Sequence, residues 1–140
     1  MDDIKSRIIK NAPEILKDFP VHFAYLYGSY SKGIVHAFSD LDICIYIDNI
    51  PLRDKLNLQM TISLKIDEII GEKIDSEVRI MNDLPLIIKG QIITEGILIF
   101  SRNNDLLVDV ETSIRKAYFD FLPTIQEYQQ AYIDFQTHEI

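Results

Sequence analysis

The sequence has one cysteine, Cys44, and three scattered histidines, His22, His36 and His138, among 140 residues. A lone thiol forms no internal disulfide and the histidines lack zinc-ligand spacing, which excludes a disulfide scaffold or zinc module and fits a reducing cytoplasm. Basic side chains are also few: 14 Lys and Arg stand against 22 Asp and Glu, a net charge of −8. That sign is wrong for a chain gripping phosphates, so no direct nucleic-acid partner is expected. Long apolar runs are missing. The most apolar stretch, from Leu84 to Phe100, is broken by Lys89, Gly90, Gln91, Glu95 and Gly96, so no membrane span is expected. The opening MDDIKSRIIK puts two acids ahead of any apolar residue, and no signal or transit peptide is expected. There is no internal repeat, low-complexity tract or linker.

Hydrophobic residues make up 47% of the chain, with 7 Phe and 7 Tyr, enough for one core. The expectation is a single domain over residues 1–140, with a core of about 20–100 and a helical tail of about 105–140. Apolar spacing at Ile4, Ile8, Ala12, Ile15, Leu16 and Phe19 predicts helix. Pro13 divides it into two short helices, the second capped by Asn11 with Glu14 three residues on. Val21 to Tyr27 reads as a strand between Pro20 and Gly28. Asp40 to Ile47 alternates, with Leu41, Ile43, Ile45 and Ile47 on one face and Asp40, Asp42, Cys44 and Tyr46 on the other. Asp48 or Asn49 can cap a helix entering through Pro51. Its core stripe reads as Leu52, Leu56, Met60 and Leu64 with Ile62, Ile66, Ile69 and Ile70, and Gly71 ends it.

Lys73 to Met81 alternates again, with Ile74, Val78 and Ile80 inward and Asp75, Glu77 and Arg79 opposite. Asn82 or Asp83 then opens a helix through Pro85 to Glu95, and Ile97 to Phe100 is one more strand. From Asp105 onward the tail reads as helix with a break at Pro123. Its apolar stripe of Leu106, Leu107, Val110, Ile114, Tyr118 and Leu122 must be covered, which its own domain can do. Alternating strands and helices through residue 100 predict an α/β domain built on a small sheet with a helical appendage behind it, and leave strand order and direction open. From Asp105 to Ile140 seven acids stand against Arg115 and Lys116, so a net −5 sits in the tail, either as solvated helix faces or as a dock for a basic partner.

The chemistry is concentrated in Gly28-Ser29, a spacer of ten residues, and Asp40-Leu41-Asp42. Alternate strand positions put Asp40 and Asp42 side by side, where two carboxylates repel unless a cation neutralises them. Hard oxygen ligands of this kind suit Mg²⁺, which completes its shell with waters and substrate phosphates. A glycine after a strand lets the backbone approach a ligand closely, and N–H groups there can receive phosphate oxygens. Asp75 could complete a carboxylate trio if its strand is adjacent, and Glu77 shares its face. Two metals about 4 Å apart would then clamp an in-line displacement at phosphorus. Each half of the pattern is weak alone; the four fixed residues together arise by chance with a probability on the order of 0.001 in a chain of this length.

GSYSKG followed by SDLDI resembles the G-S-x10-D-x-D signature of the polymerase-β nucleotidyltransferase superfamily, and the short chain resembles its minimal members (MNT). The likeness continues through the strand around Asp75 and LPLIIKGQIITEGILIF, covering roughly Val21 to Phe100. It extends more loosely into the tail with Tyr118 to Pro123. The resemblance implies a polymerase-β-type α/β (α+β) fold, a small mixed sheet flanked by helices with a helical C-terminal tail, nucleotide phosphates on Gly28 and Ser29, two Mg²⁺ held by Asp40 and Asp42, and Asp75 sharing one metal and helping deprotonate the acceptor hydroxyl. Lys32, before Gly33, stands where the family often has arginine, and supplies charge to the phosphates without a bidentate fork.

A stand-alone domain of this size resembles the MNT antitoxins of HEPN/MNT toxin–antitoxin pairs. These transfer AMP from ATP to a tyrosine of the HEPN ribonuclease toxin. The implied protein is a cytoplasmic, Mg²⁺-dependent antitoxin acting by AMPylation, with ATP as substrate, a cognate HEPN-type toxin as partner, and possible homo- or hetero-oligomers. Two other readings stand beside it. One is an antitoxin that neutralises its partner by occupancy without catalysis; the other is a small-molecule nucleotidyltransferase of the aminoglycoside-modifying kind. Cys44 reads as a small buried residue, Tyr25 and Tyr27 as core-strand aromatics, and His36 as loop surface.

Overall fold

The computed structural model describes residues 4–28, 41–71 and 75–138. Along the chain run α1 (Ile4–Leu16), β1 (Phe23–Tyr27), β2 (Leu41–Tyr46), α2 (Leu52–Ile70), β3 (Ser76–Ile80), a 3₁₀ turn (Met81–Asp83), α3 (Leu86–Glu95), β4 (Ile97–Ser101) and α4 (Asn104–His138). The strands form one mixed sheet in the order β3-β2-β1-β4. β1 runs antiparallel to β2 and β4, while β2 and β3 are parallel and joined through α2. A parallel pair needs such a crossover, whereas antiparallel neighbours need only a loop.

Period-two alternation sorts the side chains between two cores. Ala24, Leu26, Leu41, Ile43, Ile45, Val78, Ile80 and Ile99 face α1 and α2, meeting Ile8, Ile15, Leu16, Ile62 and Ile66. Phe23, Tyr25 and Cys44 point the other way into a second core with Met81, Ile92, Ile93 and Leu107. Phe23 stacks on Tyr46 at 4.8 Å between ring centroids and meets Tyr25 edge-on at 6.0 Å. Both sheet faces are covered, so Cys44 on the polar side of the alternation is as buried as its neighbours.

The helices depart from the sequence reading at several points. Pro13 lies inside a continuous α1 rather than between two helices. Near the C-terminal end it forfeits only one N–H, its φ suits a helix, and the Lys17 N–H closes the last turn on the Pro13 carbonyl at 3.1 Å. Pro123 likewise sits within an unbroken α4. The carbonyl it leaves unpaired belongs to Phe119, on an exposed turn that water reaches.

In α2 the buried residues are Leu58, Ile62, Ile66 and Ile70, while Leu52, Leu56, Met60 and Leu64 are exposed. Two i, i+4 rows compete for one sheet, and the isoleucine-rich row occupies it. Neither Asp48 nor Asn49 caps α2: Pro51 holds the cap position without a side-chain bond, and Asp48 pairs with His22 at 2.8 Å. Gly71 does end the helix in the left-handed conformation, its N–H on the Asp67 carbonyl. Arg7 donates to the Ile70 carbonyl at the same end.

Asn82 does not open α3. It sits in the 3₁₀ turn and its amide bridges the Ile47 backbone, donating at 2.7 Å and accepting at 3.2 Å. Asn103 caps α4 instead, its Oδ1 accepting the Leu106 N–H at 3.1 Å. The early stripe of α4 is covered as expected, with Leu107 buried and Leu106, Val110 and Ile114 packed against the second core. Gly90 makes that contact possible: a Cβ there would meet the Tyr118 ring at 2.2 Å.

Candidate active site

Three of the six expected site residues, Ser29, Lys32 and Asp40, lie outside the described residues, as does His36. The other three, Gly28, Asp42 and Asp75, lie at one end of the sheet. β1 ends there while β2 and β3 begin there. Gly28 directly follows β1 with φ +74°, and a Cβ on it would stand 2.5 Å from Asp42 Oδ2. Only a residue without a Cβ admits the carboxylate at this point.

Asp42 is half-buried on β2, cross-strand from Tyr27 on one side and in register with Glu77 of parallel β3 on the other. Asp75 is exposed and immediately precedes β3; its carbonyl accepts the Leu41 N–H at 2.8 Å, which fixes it one pleat closer to the sheet end than Glu77. The start of β3 is tied down by Ser76, whose hydroxyl meets Ser63 Oγ at 2.6 Å and Asp67 Oδ1 at 3.2 Å. The β2–β3 adjacency that a carboxylate trio requires is therefore present.

The two candidates for third carboxylate differ in their partners. Glu77 Oε1 accepts from Arg79 Nε at 2.9 Å. That bond, followed by the nearby Tyr27, Glu77 and Asp42, raises the Arg79 pKa and outweighs its slight burial. Asp75 has no ion pair among the described residues. Among those residues alone no three acids or histidines cluster as a metal site. The carboxylate of Asp42, the cradle open at Gly28 and the exposed Asp75 are nonetheless hard-oxygen chemistry suited to Mg²⁺.

Sequence reasoning missed two features next to this end. Burial leaves the Tyr27 hydroxyl without a partner among the described residues and pushes its pKa up, with Arg79 opposing. Tyr25 donates its hydroxyl to Glu111 of α4, tying the tail to the central strand; burial first and that bond second push its pKa up. No periodicity signals a bond across 86 residues. A cavity of about 290 Å³ between Tyr46, Lys89 and Asp109 lies at the opposite end of β2.

Cys44 is a packing residue, as expected. Burial pushes its thiol from an ordinary 9.0 up to about 12, against the pull of Arg79 and Lys89. The unfolded chain therefore loses this proton first, and the thiol's contribution is fully present below about pH 9 and lost as pH rises toward 12. Urea unfolding should show stability falling over that window by up to about 1.4 kcal/mol per pH unit per buried group. Cys44→Ala should remove the thiol's share of the slope.

A mixed four-stranded sheet with a glycine turn and an aspartate strand at one end is the fold of the polymerase-β nucleotidyltransferases. The chain belongs to that family: the polymerase beta nucleotidyltransferase model matches residues 10–105. No curated protein matches it. Among solved structures it is similar to a chain of a toxin–antitoxin crystal structure with AMP-PNP, at 19% identity and TM-score 0.64, covering 92% of this chain and 98% of that one. It is similar to a chain of the tri-AMPylated Shewanella oneidensis HEPN toxin in complex with MNT antitoxin, at 16% identity and TM-score 0.61, covering 95% and 98%. A chain of the toxin–antitoxin MntA-HepT is matched at 15% identity and TM-score 0.58, covering 92% and 96%. No helix among the described residues is long and apolar enough to cross a membrane.

Proposed function

We propose that this chain transfers AMP from ATP to a tyrosine hydroxyl of a cognate HEPN-type toxin and thereby acts as its antitoxin. The observation that carries the reading is the seating of the Asp42 carboxylate against Gly28 at the end of a nucleotidyltransferase sheet, where Asp75 leads into the neighbouring parallel strand. Gly28 and Ser29 receive the triphosphate through backbone N–H groups, with Lys32 adding charge. Asp40, Asp42 and Asp75 would hold two Mg²⁺, which supply the positive charge that draws the phosphates in and stabilises the transition state when bound. The acceptor oxygen forms a bond to the α-phosphorus as the bond to the bridging α–β oxygen breaks. AMP ends on the hydroxyl and pyrophosphate leaves. Asp75 takes the hydroxyl proton; its exposure leaves it reachable by an incoming protein, whereas Glu77 is engaged by Arg79.

A protein acceptor suits the far end of α4. From residue 126 to 137 every side chain is exposed, including Tyr128, Tyr132, Ile133 and Phe135. Asp120, Glu127 and Asp134 recur every seventh residue there, with no Lys or Arg from Ala117 to Thr137. An amphipathic arm with an acidic edge fits a partner that brings an apolar stripe flanked by bases. The solved relatives, which include an AMPylated toxin bound to its antitoxin, support the same acceptor class.

Intact-mass spectrometry tests the reading on the protein mixed with Mg²⁺, ATP and the product of the adjacent gene. The partner should gain whole AMP increments. A stable complex without any increment would leave neutralisation by occupancy in its place.

A further inference from the structure

The row that α2 turns away from the sheet is made of large apolar residues: Leu52 is 70% exposed, Leu56 56%, Met60 65% and Leu64 63%. Four such residues at i, i+4 spacing form a ridge along one side of the helix. Soluble chains seldom leave a contiguous apolar ridge uncovered. It lies on the layer formed by α1 and α2, across the sheet from the core that α3 and α4 cover, and is thus separate from the α4 arm.

The ends of the ridge say what covers it. Arg53 lies at its N-terminal end and Glu68 at its C-terminal end; both are exposed and neither has an ion-pair partner among the described residues. Met60 lies seven residues after Arg53 and eight before Glu68. If a second α2 is laid antiparallel across the first with a two-fold axis at Met60, Leu56 meets Leu64 of the other copy, and Arg53, one residue from the position opposite Glu68, reaches it with its long side chain, twice over. The pattern is self-complementary in shape and charge, as an isologous contact requires. The α4 arm has the opposite property, because its unbroken acidic row would repel its own copy.

We infer that this exposed face of α2 is a homodimer interface, in which two copies pack α2 against α2 in antiparallel register about Met60. The inference does not rest on nucleotide transfer.

Analytical ultracentrifugation of the full chain tests it without reading any activity. The wild type should sediment at twice the 16.3 kDa chain mass at micromolar concentration. Met60→Glu should give a monomer with unchanged circular dichroism and thermal unfolding, since the side chain leaves no core contact behind. Arg53→Glu and Glu68→Arg should each weaken the dimer roughly tenfold or more, and their combination should restore it, because the swap re-creates both ion pairs. Met60→Cys should cross-link to its own copy with a short bismaleimide, while the wild type, whose Cys44 is buried, should not. A monomeric wild type, a dimer indifferent to Met60→Glu, or charge variants whose combination fails to restore would each overturn the inference. So would capture of the toxin by this face of a monomeric chain.

Discussion

Asp42→Asn should abolish AMP transfer, lowering the rate by on the order of 10³-fold or more, while leaving the fold and partner binding in place. Asparagine keeps the shape that fits against Gly28 and removes the charge on which the site depends. The side chain is half-buried, in register with Tyr27 and Glu77, and asparagine is nearly isosteric with it, while Glu77 keeps its bond from Arg79. Thermal unfolding and complex formation with the partner protein are therefore expected to match the wild type within experimental scatter, and time courses of AMP incorporation to differ. Equal rates would remove Asp42 from the reacting site. A collapse of folding would mean that the carboxylate is structural.

The second large effect is expected at Gly28. Alanine there faces two penalties: a left-handed backbone that disfavours any Cβ by about 1–2 kcal/mol, and a Cβ only 2.5 Å from Asp42 Oδ2. The carboxylate must move, and a displacement of a catalytic group on the ångström scale costs about 10²-fold in rate. Gly71 supplies the control. It has nearly the same φ, +73°, but open space where its Cβ would go. Gly71→Ala should carry the same backbone penalty in unfolding experiments and leave transfer untouched. If Gly28→Ala and Gly71→Ala behave alike in both assays, the close approach to Asp42 is irrelevant to function.

Much of the sheet could be read from alternation. Leu41, Ile43 and Ile45 against Asp42, Cys44 and Tyr46 is a period of two that leaves little choice, and β3 follows from the same signal, β1 from its aromatic and β-branched content and β4 from a short apolar run after Gly96, with only their ends displaced. The G-S and D-x-D elements flank a spacer whose length carries the family likeness, so the candidate site is legible as a motif without placing any strand. Two kinds of information were not in the pattern. α2 has apolar residues around most of its circumference, and periodicity alone does not choose which row meets the sheet; the packing of Ile62 and Ile66 under β2 and β3 decides it. The prolines at 13 and 123 break no helix, because each missing hydrogen bond falls where few or only solvated groups depend on it. Contacts between distant segments, such as Tyr25 with Glu111 and Asn82 with Ile47, leave no local trace. The preference for Asp75 over Glu77 likewise turns on an ion pair with Arg79 that the strand pattern makes possible without requiring it.

Bond exchange at the α-phosphorus that ends on a partner protein fixes where each phosphate of ATP goes. Parallel reactions with ATP labelled at the α- or at the γ-phosphate, in the presence of Mg²⁺ and the adjacent gene's product, follow both. Label from the α position should appear on the partner with wild-type protein and be absent with Asp42→Asn, and label from the γ position should appear only in pyrophosphate. Transfer of γ label to the partner, or a stable complex that takes up neither, would contradict it.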